Sequence, residues 1–207
     1  MENIKELMVF AGANGSGKST IAKHFRDLGL CPLKFICPDQ LVPVNKLNDY
    51  DSYIMAMQSA EILRFEAVSQ SESFSFETVL STQHKLDFIR FAKSEGYTIT
   101  VIYVVTSDPG INLERIKRRV VRGGHDVPRD KVLSRYEKSM NLMFPVLEES
   151  CNAAIYDNSS LVPQIVLTKD VADGYVLFRE NFEQSWVQKY FALPAKEKGV
   201  EIRVDYR

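Results

Sequence analysis

Gly12-Ala13-Asn14-Gly15-Ser16-Gly17-Lys18-Ser19-Thr20 is the stretch on which the reading of this chain turns. It fits G-x-x-x-x-G-K-[ST], a loop that wraps phosphate groups. Its glycines let the backbone turn tightly and aim successive N–H groups at one point. The positive end of a following helix adds to that anion site. Lys18 can reach the outer phosphates, and the Ser19 hydroxyl can ligate a magnesium ion. The expected nucleotide-binding set is therefore Gly12, Ala13, Asn14, Gly15, Ser16, Gly17, Lys18, Ser19 and Thr20.

Such a loop needs a strand before it and a helix after it. Leu7-Met8-Val9-Phe10-Ala11 is a continuous apolar run, as expected of a buried parallel strand. Ile21, Ala22 and Phe25 follow at helical spacing, and Gly29 stands where a helix-ending glycine belongs. Further along, Leu33–Ile36 reads as a short strand ending near Pro38-Asp39, expected to lie beside the first strand. Ser52–Gln70 reads as a helix with Tyr53, Met57, Ala60, Leu63 and Ala67 on one face. Ser73–Thr78 alternates as a strand, and Leu86, Ile89, Phe91 and Ala92 mark a helix ending near Gly96. Thr98–Val105 is rich in β-branched residues and is the strongest strand signal. Asp108-Pro109 opens a basic helix that Gly123-Gly124 should interrupt. Pro128 reads as the first residue of a helix running through Met143, and Ala153–Asp157 as a last buried strand.

Strands alternating with helices around such a loop predict an α/β, three-layer P-loop NTPase/kinase-like fold with a mostly parallel sheet and a helical lid. One domain is expected over 1–207, with the lid at 109–150 and a C-terminal helix and tail at 180–207. Trp186, Tyr190 and Phe191 should pack that last helix on the domain, with an oligomer contact as the alternative.

Composition narrows the partners. Lys and Arg total 26 and Asp and Glu 27, which argues against a general nucleic-acid or membrane binder. Three cysteines without metal-like spacing predict a reduced, cytoplasmic protein. No apolar run is long enough to span a bilayer, and no signal-peptide pattern opens the chain.

Ligands of open α/β sheets bind beyond the carboxyl ends of the strands. Asp39, Glu77, Thr78 and Asp157 all fall at such ends. Asp39 is placed to accept the proton of an acceptor hydroxyl, and reads equally as a turn aspartate after Pro38. Glu77, at the end of a buried strand, needs a partner, which a substrate or a structural ion pair would supply. Arg115, Arg118, Arg119 and Arg122 make one helical stripe, with Arg135 on the helix after the glycines. A charge run of this kind is usually a solvated face, but arginines on a hinged helix pair also suit a closing lid that stabilises a transferring phosphoryl group. His125 is read as a hinge residue.

Taken in order, the loop, Pro38-Asp39, Phe76-Glu77-Thr78-Val79-Leu80-Ser81, Arg119-Val120, Gly123-Gly124-His125, Val127-Pro128, Arg135-Tyr136 and Tyr156-Asp157-Asn158-Ser159 resemble the zeta-toxin-like P-loop kinases. They are most similar to the compact branch often described as predicted ABC-type ATPases. The chain lacks that class's Leu-Ser-Gly-Gly-type signature, and Leu80-Ser81-Thr82 is only a fragment of it, so the ABC label is set aside. The resemblance implies transfer of the γ-phosphoryl group of ATP or GTP, with Mg2+, to a small-molecule hydroxyl, in zeta toxins that of UDP-N-acetylglucosamine. It implies Lys18, Asp39, Arg119 and Arg135 as catalytic and Ser19 as the metal ligand. Asp39, Glu77 and Thr78 would bind the acceptor, and Asp157 and Asn158 would lie near the nucleotide base. A small antitoxin protein is the implied partner. A kinase of another small acceptor, or a nucleotide-hydrolysing regulatory ATPase that acts through a protein partner, stand as alternatives.

Overall fold

The computed structural model describes residues 4–42, 50–124, 126–178 and 183–205. In chain order the elements are β1 (Glu6–Ala11), α1 (Lys18–Asp27), β2 (Lys34–Ile36), α2 (Pro38–Leu41), α3 (Tyr50–Ser69) and β3 (Phe74–Thr78). There follow α4 (Gln83–Ser94), β4 (Thr98–Val105), α5 (Pro109–Val121), α6 (Arg129–Glu149), β5 (Asn152–Asp157), β6 (Gln164–Asp170) and β7 (Gly174–Phe178). The chain closes with α7 (Ser185–Val187), a π turn (Gln188–Ala192), α8 (Leu193–Glu197) and β8 (Ile202–Asp205).

Among the described residues eight strands form one sheet of order β2-β3-β1-β4-β5-β6-β7-β8. Pairing is parallel from β2 through β5, antiparallel around β6, and parallel again between β7 and β8. Side chains alternate across a strand, so β1 serves both faces. Leu7, Val9 and Ala11 join the large core formed with α3, α4, α6 and the C-terminal helices. Phe10 points the other way and packs with Ile21 and Ala22 of α1, Ile102 and Val104. The result is a three-layer α/β sandwich with helices on both faces, a P-loop NTPase-like fold.

Five local expectations need correction. β2 does not lie beside β1; it pairs with β3, which is inserted between them. β3 is buried at four of its five positions and so is suited to two neighbours, whereas half-buried Lys34 and Phe35 suit β2 to the sheet edge. β5 is not the last strand, because β6, β7 and β8 extend the sheet. The tail after residue 180 is therefore a helical segment plus an edge strand. Trp186, Tyr190 and Phe191 are buried in the main core, as expected. Pro128 is the residue before α6 rather than its first, and α6 continues past Pro145 to Glu149. A proline there removes one helical hydrogen bond, but fully buried Val146 and Leu147 hold the last turn in the core. On α3, Met57 is largely outside the core and the buried polar residue is Arg64; on α4, Phe88 is buried and Phe91 exposed. His125 lies outside the described residues.

α6 is tied to the centre of the sheet by polar bonds as well as by packing. The fully buried Tyr103 hydroxyl donates to the Ser139 carbonyl at 2.7 Å and also lies 2.7 Å from the Ser139 hydroxyl. Tyr136 donates to the Thr106 carbonyl at 2.6 Å. These bonds fix the helix that carries Arg135. Replacing Tyr103 with Phe should cost about 1–3 kcal/mol, because Ser139 loses a buried partner. A urea titration of the Tyr103→Phe protein checks this, with a shift of the midpoint at constant slope as the expected result.

Candidate active site

The glycine loop is built by close backbone approach. Gly12, Gly15 and Gly17 have φ of 143°, 78° and 99°. A Cβ at Gly12 would stand 2.2 Å from the Val104 carbonyl oxygen, and one at Gly17 2.2 Å from the Asn158 amide nitrogen. Only glycine fits these places. Gly17 precedes α1 without a side-chain cap, so the first N–H groups of that helix stay open for a ligand. Asn14 Oδ1 and Ser16 Oγ are buried without a hydrogen-bond partner. An uncapped helix start, a cradle that a Cβ would fill and orphaned polar atoms in the loop together fit a nucleotide's phosphate chain.

The loop is braced from outside. Asn112 of α5 donates to the Asn14 carbonyl at 2.7 Å and accepts from buried Thr106. Arg115 donates to the Ser16 carbonyl at 3.3 Å and to the Asn158 carbonyl at 2.6 Å. Asn158 donates through its amide to the Ser16 carbonyl at 2.7 Å. Arg115 is therefore a strut of the loop rather than a free member of the arginine stripe. Asp157 is buried at the end of β5 and accepts from the Ser159 N–H at 2.8 Å and the Trp186 indole at 3.3 Å. Its carboxylate thus holds the turn that presents Asn158.

Sheet register carries the acidic residues to the loop. Phe10 of β1 is opposite Glu77 of β3, and Ala11 is opposite Thr78. Glu77 accepts from the Ser19 hydroxyl at 2.6 Å. Burial raises the Glu77 carboxyl above its usual 4.5, opposed by the Ser19 hydrogen bond and by Lys18. Lys18 is lowered by burial, with Glu77 and Asp39 pulling the other way. An oxygen pair at Ser19 and Glu77 is a donor set that suits a hard cation such as magnesium. Among the described residues no three-residue cluster of His, Cys, Asp or Glu forms a metal site of its own.

These groups line one cavity of about 250 Å³. Lys18, Ser19, Asp39, Glu77, Thr78, Arg119 and Arg135 all border it, as do Asn14 and Gly15. Arg119 comes from the last turn of α5, where its carbonyl accepts from the Gly124 N–H at 3.0 Å, and Arg135 from the start of α6. Arg118 and Arg122 are exposed and do not border it. Asp157 and Asn158 lie beneath the loop, off the cavity wall. Sequence reading missed Tyr53, Arg64, Lys85 and the turn 79–82, which also form the wall. It missed Asn112 as a brace. Only Arg64 carried a usable signal, a charge on the apolar stripe of α3 next to Ala60 and Ala67. Cys37 on the wall has its thiol pushed up to about 12 by burial, which makes it a poor nucleophile. The described helices include none long and apolar enough to cross a membrane.

No family model matches the chain. A Haemophilus influenzae protein described as uncharacterized is 33% identical over 132 residues, which cover 63% of this chain and 92% of that protein. The chain belongs to the same family as that protein. Among solved structures, AvrRxo1-ORF1:-ORF2 crystallised with ATP matches at TM-score 0.69 and 13% identity over 91% of this chain, which spans only 63% of that chain. The PezAT chromosomal toxin–antitoxin system of Streptococcus pneumoniae matches at TM-score 0.56 and 15% identity, over 81% of this chain and 72% of that one. At such identities the likeness is one of fold.

Burial of Glu77 has a consequence for stability. Its folded carboxyl titrates above the unfolded value of 4.5, so the folded state holds the proton more tightly. Stability from this group is full below that value and is lost as pH rises through the folded pKa. Glu77→Gln should therefore melt at a higher temperature than the parent protein near neutral pH, and the gap should close toward pH 4. Thermal unfolding of both proteins across that range, without ligand, measures it.

Proposed function

We propose that the chain is a magnesium-dependent phosphotransferase that moves the γ-phosphoryl group of ATP or GTP to the hydroxyl of a small molecule. The observation that carries this reading is the convergence of Lys18, Ser19, Asp39, Glu77, Arg119 and Arg135 on one cavity beside an open glycine loop. The chain contributes positioning and charge, which is what phosphoryl transfer requires.

The loop N–H groups and Lys18 hold the phosphate chain, and Asn14, Gly15 and Thr20 shape its bed. Ser19, with Glu77 behind it, would hold a magnesium ion, which would supply charge neutralisation. Asp39 accepts the proton of the acceptor hydroxyl while the acceptor oxygen bonds to the γ-phosphorus. The bond from that phosphorus to the bridging oxygen breaks, and the nucleoside diphosphate leaves with the electron pair. Lys18, Arg119 and Arg135 offset the charge that develops. Glu77 and Thr78 border the acceptor volume, so Glu77 touches both halves of the site. Asn158 fixes the edge of the loop on the nucleotide side, with Asp157 holding its turn.

The lid, in this reading, is the α5–α6 corner within 109–150 of a single domain spanning 1–207. Ile116, Val127 and Val132 form a small cluster separate from the main core, and Gly123 at φ 84° supplies a hinge. The later turns of α6 do not take part, because Tyr103 and the core hold them. Likeness to AvrRxo1-ORF1:-ORF2 with ATP supports ATP as the donor, and likeness to PezAT supports a zeta-toxin-like kinase with a small antitoxin as protein partner. UDP-N-acetylglucosamine is accordingly the first acceptor to test.

The test is labelled ATP with magnesium and a panel of hydroxyl acceptors that includes UDP-N-acetylglucosamine. Transfer of label to one of them is the expected result. In Asp39→Asn it should fall by about 100-fold or more while nucleotide affinity is kept. Transfer at the parent rate by Asp39→Asn would remove the base assignment, and absence of transfer to every acceptor despite tight nucleotide binding would remove the kinase reading.

A further inference from the structure

Arg64 is a cation that the catalytic reading leaves unused. It lies on α3 with 4% of its surface exposed, and it borders the cavity. Its guanidinium stands over the rings of Phe76 and Phe88, 5.1 and 5.5 Å from their centres. Nε has no hydrogen-bond partner, and the ion pair to Glu61 is long, at 3.6 Å. A buried guanidinium is stable when its donors are satisfied, and this one is not. Lys85, in the first turn of α4, borders the same cavity and donates to Glu61 at 2.9 Å. Two cations thus face a single carboxylate. His84, mostly exposed, also bonds Glu61, at 2.7 Å, so Glu61 is shared three ways.

α4 itself opens on this place. Thr82 precedes the helix, borders the cavity and makes no capping hydrogen bond with its side chain. The first N–H groups of this 12-residue helix therefore have no side-chain acceptor, and Lys85 lies in the same turn. The nucleotide reading uses Lys18, Arg119 and Arg135 on the cavity wall and leaves Arg64 and Lys85 without a role.

We infer that Arg64, Lys85 and the open N-terminus of α4 form an anion subsite that binds an oxyanion, a phosphate ester or a carboxylate, carried by the acceptor. This rests on the phosphotransferase reading and narrows its substrate class to acceptors that bear both a hydroxyl and such a group. Neutral polyols and neutral sugars are poor substrates on this account. The rings of Phe76 and Phe88 hold the Arg64 plane, and Glu61 keeps Lys85 in place until the anion arrives. Arg64 and Lys85 are specificity-determining residues, remote from the transferred group.

The test uses the full chain saturated with magnesium and a non-hydrolysable ATP analogue, so that the glycine loop is filled. Inorganic phosphate and malonate are then titrated calorimetrically, with sodium chloride as the ionic-strength control. At least one of the two anions should bind, phosphate pointing to a phosphate ester and malonate to a carboxylate. Arg64→Met, which keeps the apolar stem between the rings, and Lys85→Gln should each bind it about tenfold more weakly, with analogue affinity as the control for folding. Glu61→Gln should bind it more tightly, because the competing carboxylate is gone; a merely structural role for Glu61 predicts no gain. Equal anion binding in the parent, Arg64→Met and Lys85→Gln, or no anion binding by protein that holds the analogue, overturns the subsite and leaves the phosphotransferase reading standing. Failure to hold the analogue overturns that reading, and the subsite with it.

Discussion

The close approach of one backbone loop to three neighbours governs this molecule. Residues 12–17 run so near the Val104 carbonyl, Asn112 and Asn158 that a single added Cβ at Gly12, Gly15 or Gly17 would collide. The loop can be held this tightly because β4, α5 and the turn after β5 all end beside it. Asn112 and Arg115 reach its outer carbonyls, which leaves the inward N–H groups for a ligand. The loop is therefore held in shape by the protein's own side chains. Such preorganisation is what makes backbone dipoles effective against developing charge.

From that loop the rest of the site follows through sheet register. β3 lies directly against β1, so Glu77 arrives beside Ser19 with no need for a long side-chain reach. The insertion of β3 between β1 and β2 also places the β2 end that leads to Asp39 one strand further from β1, and Asp39 borders the same cavity as the loop. Burial works against the ionised forms of both Glu77 and Lys18, and each supplies part of the other's compensation.

The arginine stripe illustrates how much tertiary context a helical pattern hides. By spacing alone Arg115, Arg118, Arg119 and Arg122 are equivalent members of one face. In the fold they divide into a strut at Arg115, a cavity residue at Arg119, and solvent-exposed side chains at Arg118 and Arg122. Arg64 makes the opposite case. It is a buried charge beside Ala60 and Ala67 on α3, and spacing along the helix does not show what it packs against. Its two aromatic faces come from β3 and α4, and its ion-pair partner Glu61 is one turn back on the same helix.

The sequence by itself determined the chemistry of the loop, because a glycine-dependent turn is local: the residues that form it and the helix that completes it are adjacent in the chain. It determined β1, α1, β3 and β4 for the same reason, through unbroken apolar runs and helical spacing. It also determined that Glu77 sits near the end of β3, whereas Asp39 lies past the end of β2 in the first turn of α2. Tertiary structure alone decided which strand lies beside which, that β6, β7 and β8 extend the sheet, and that α6 survives Pro145. Those outcomes depend on pairings and packing between residues far apart in the chain, where neighbouring side chains carry no information about the partner. The bracing by Asn112 and Asn158, and the meeting of Arg64 with Lys85, belong to the same class. The glycine-loop motif was written in nine consecutive residues; the shape and charge of the space facing them were written across α3, β3 and α4 and became visible only when the sheet brought those elements together.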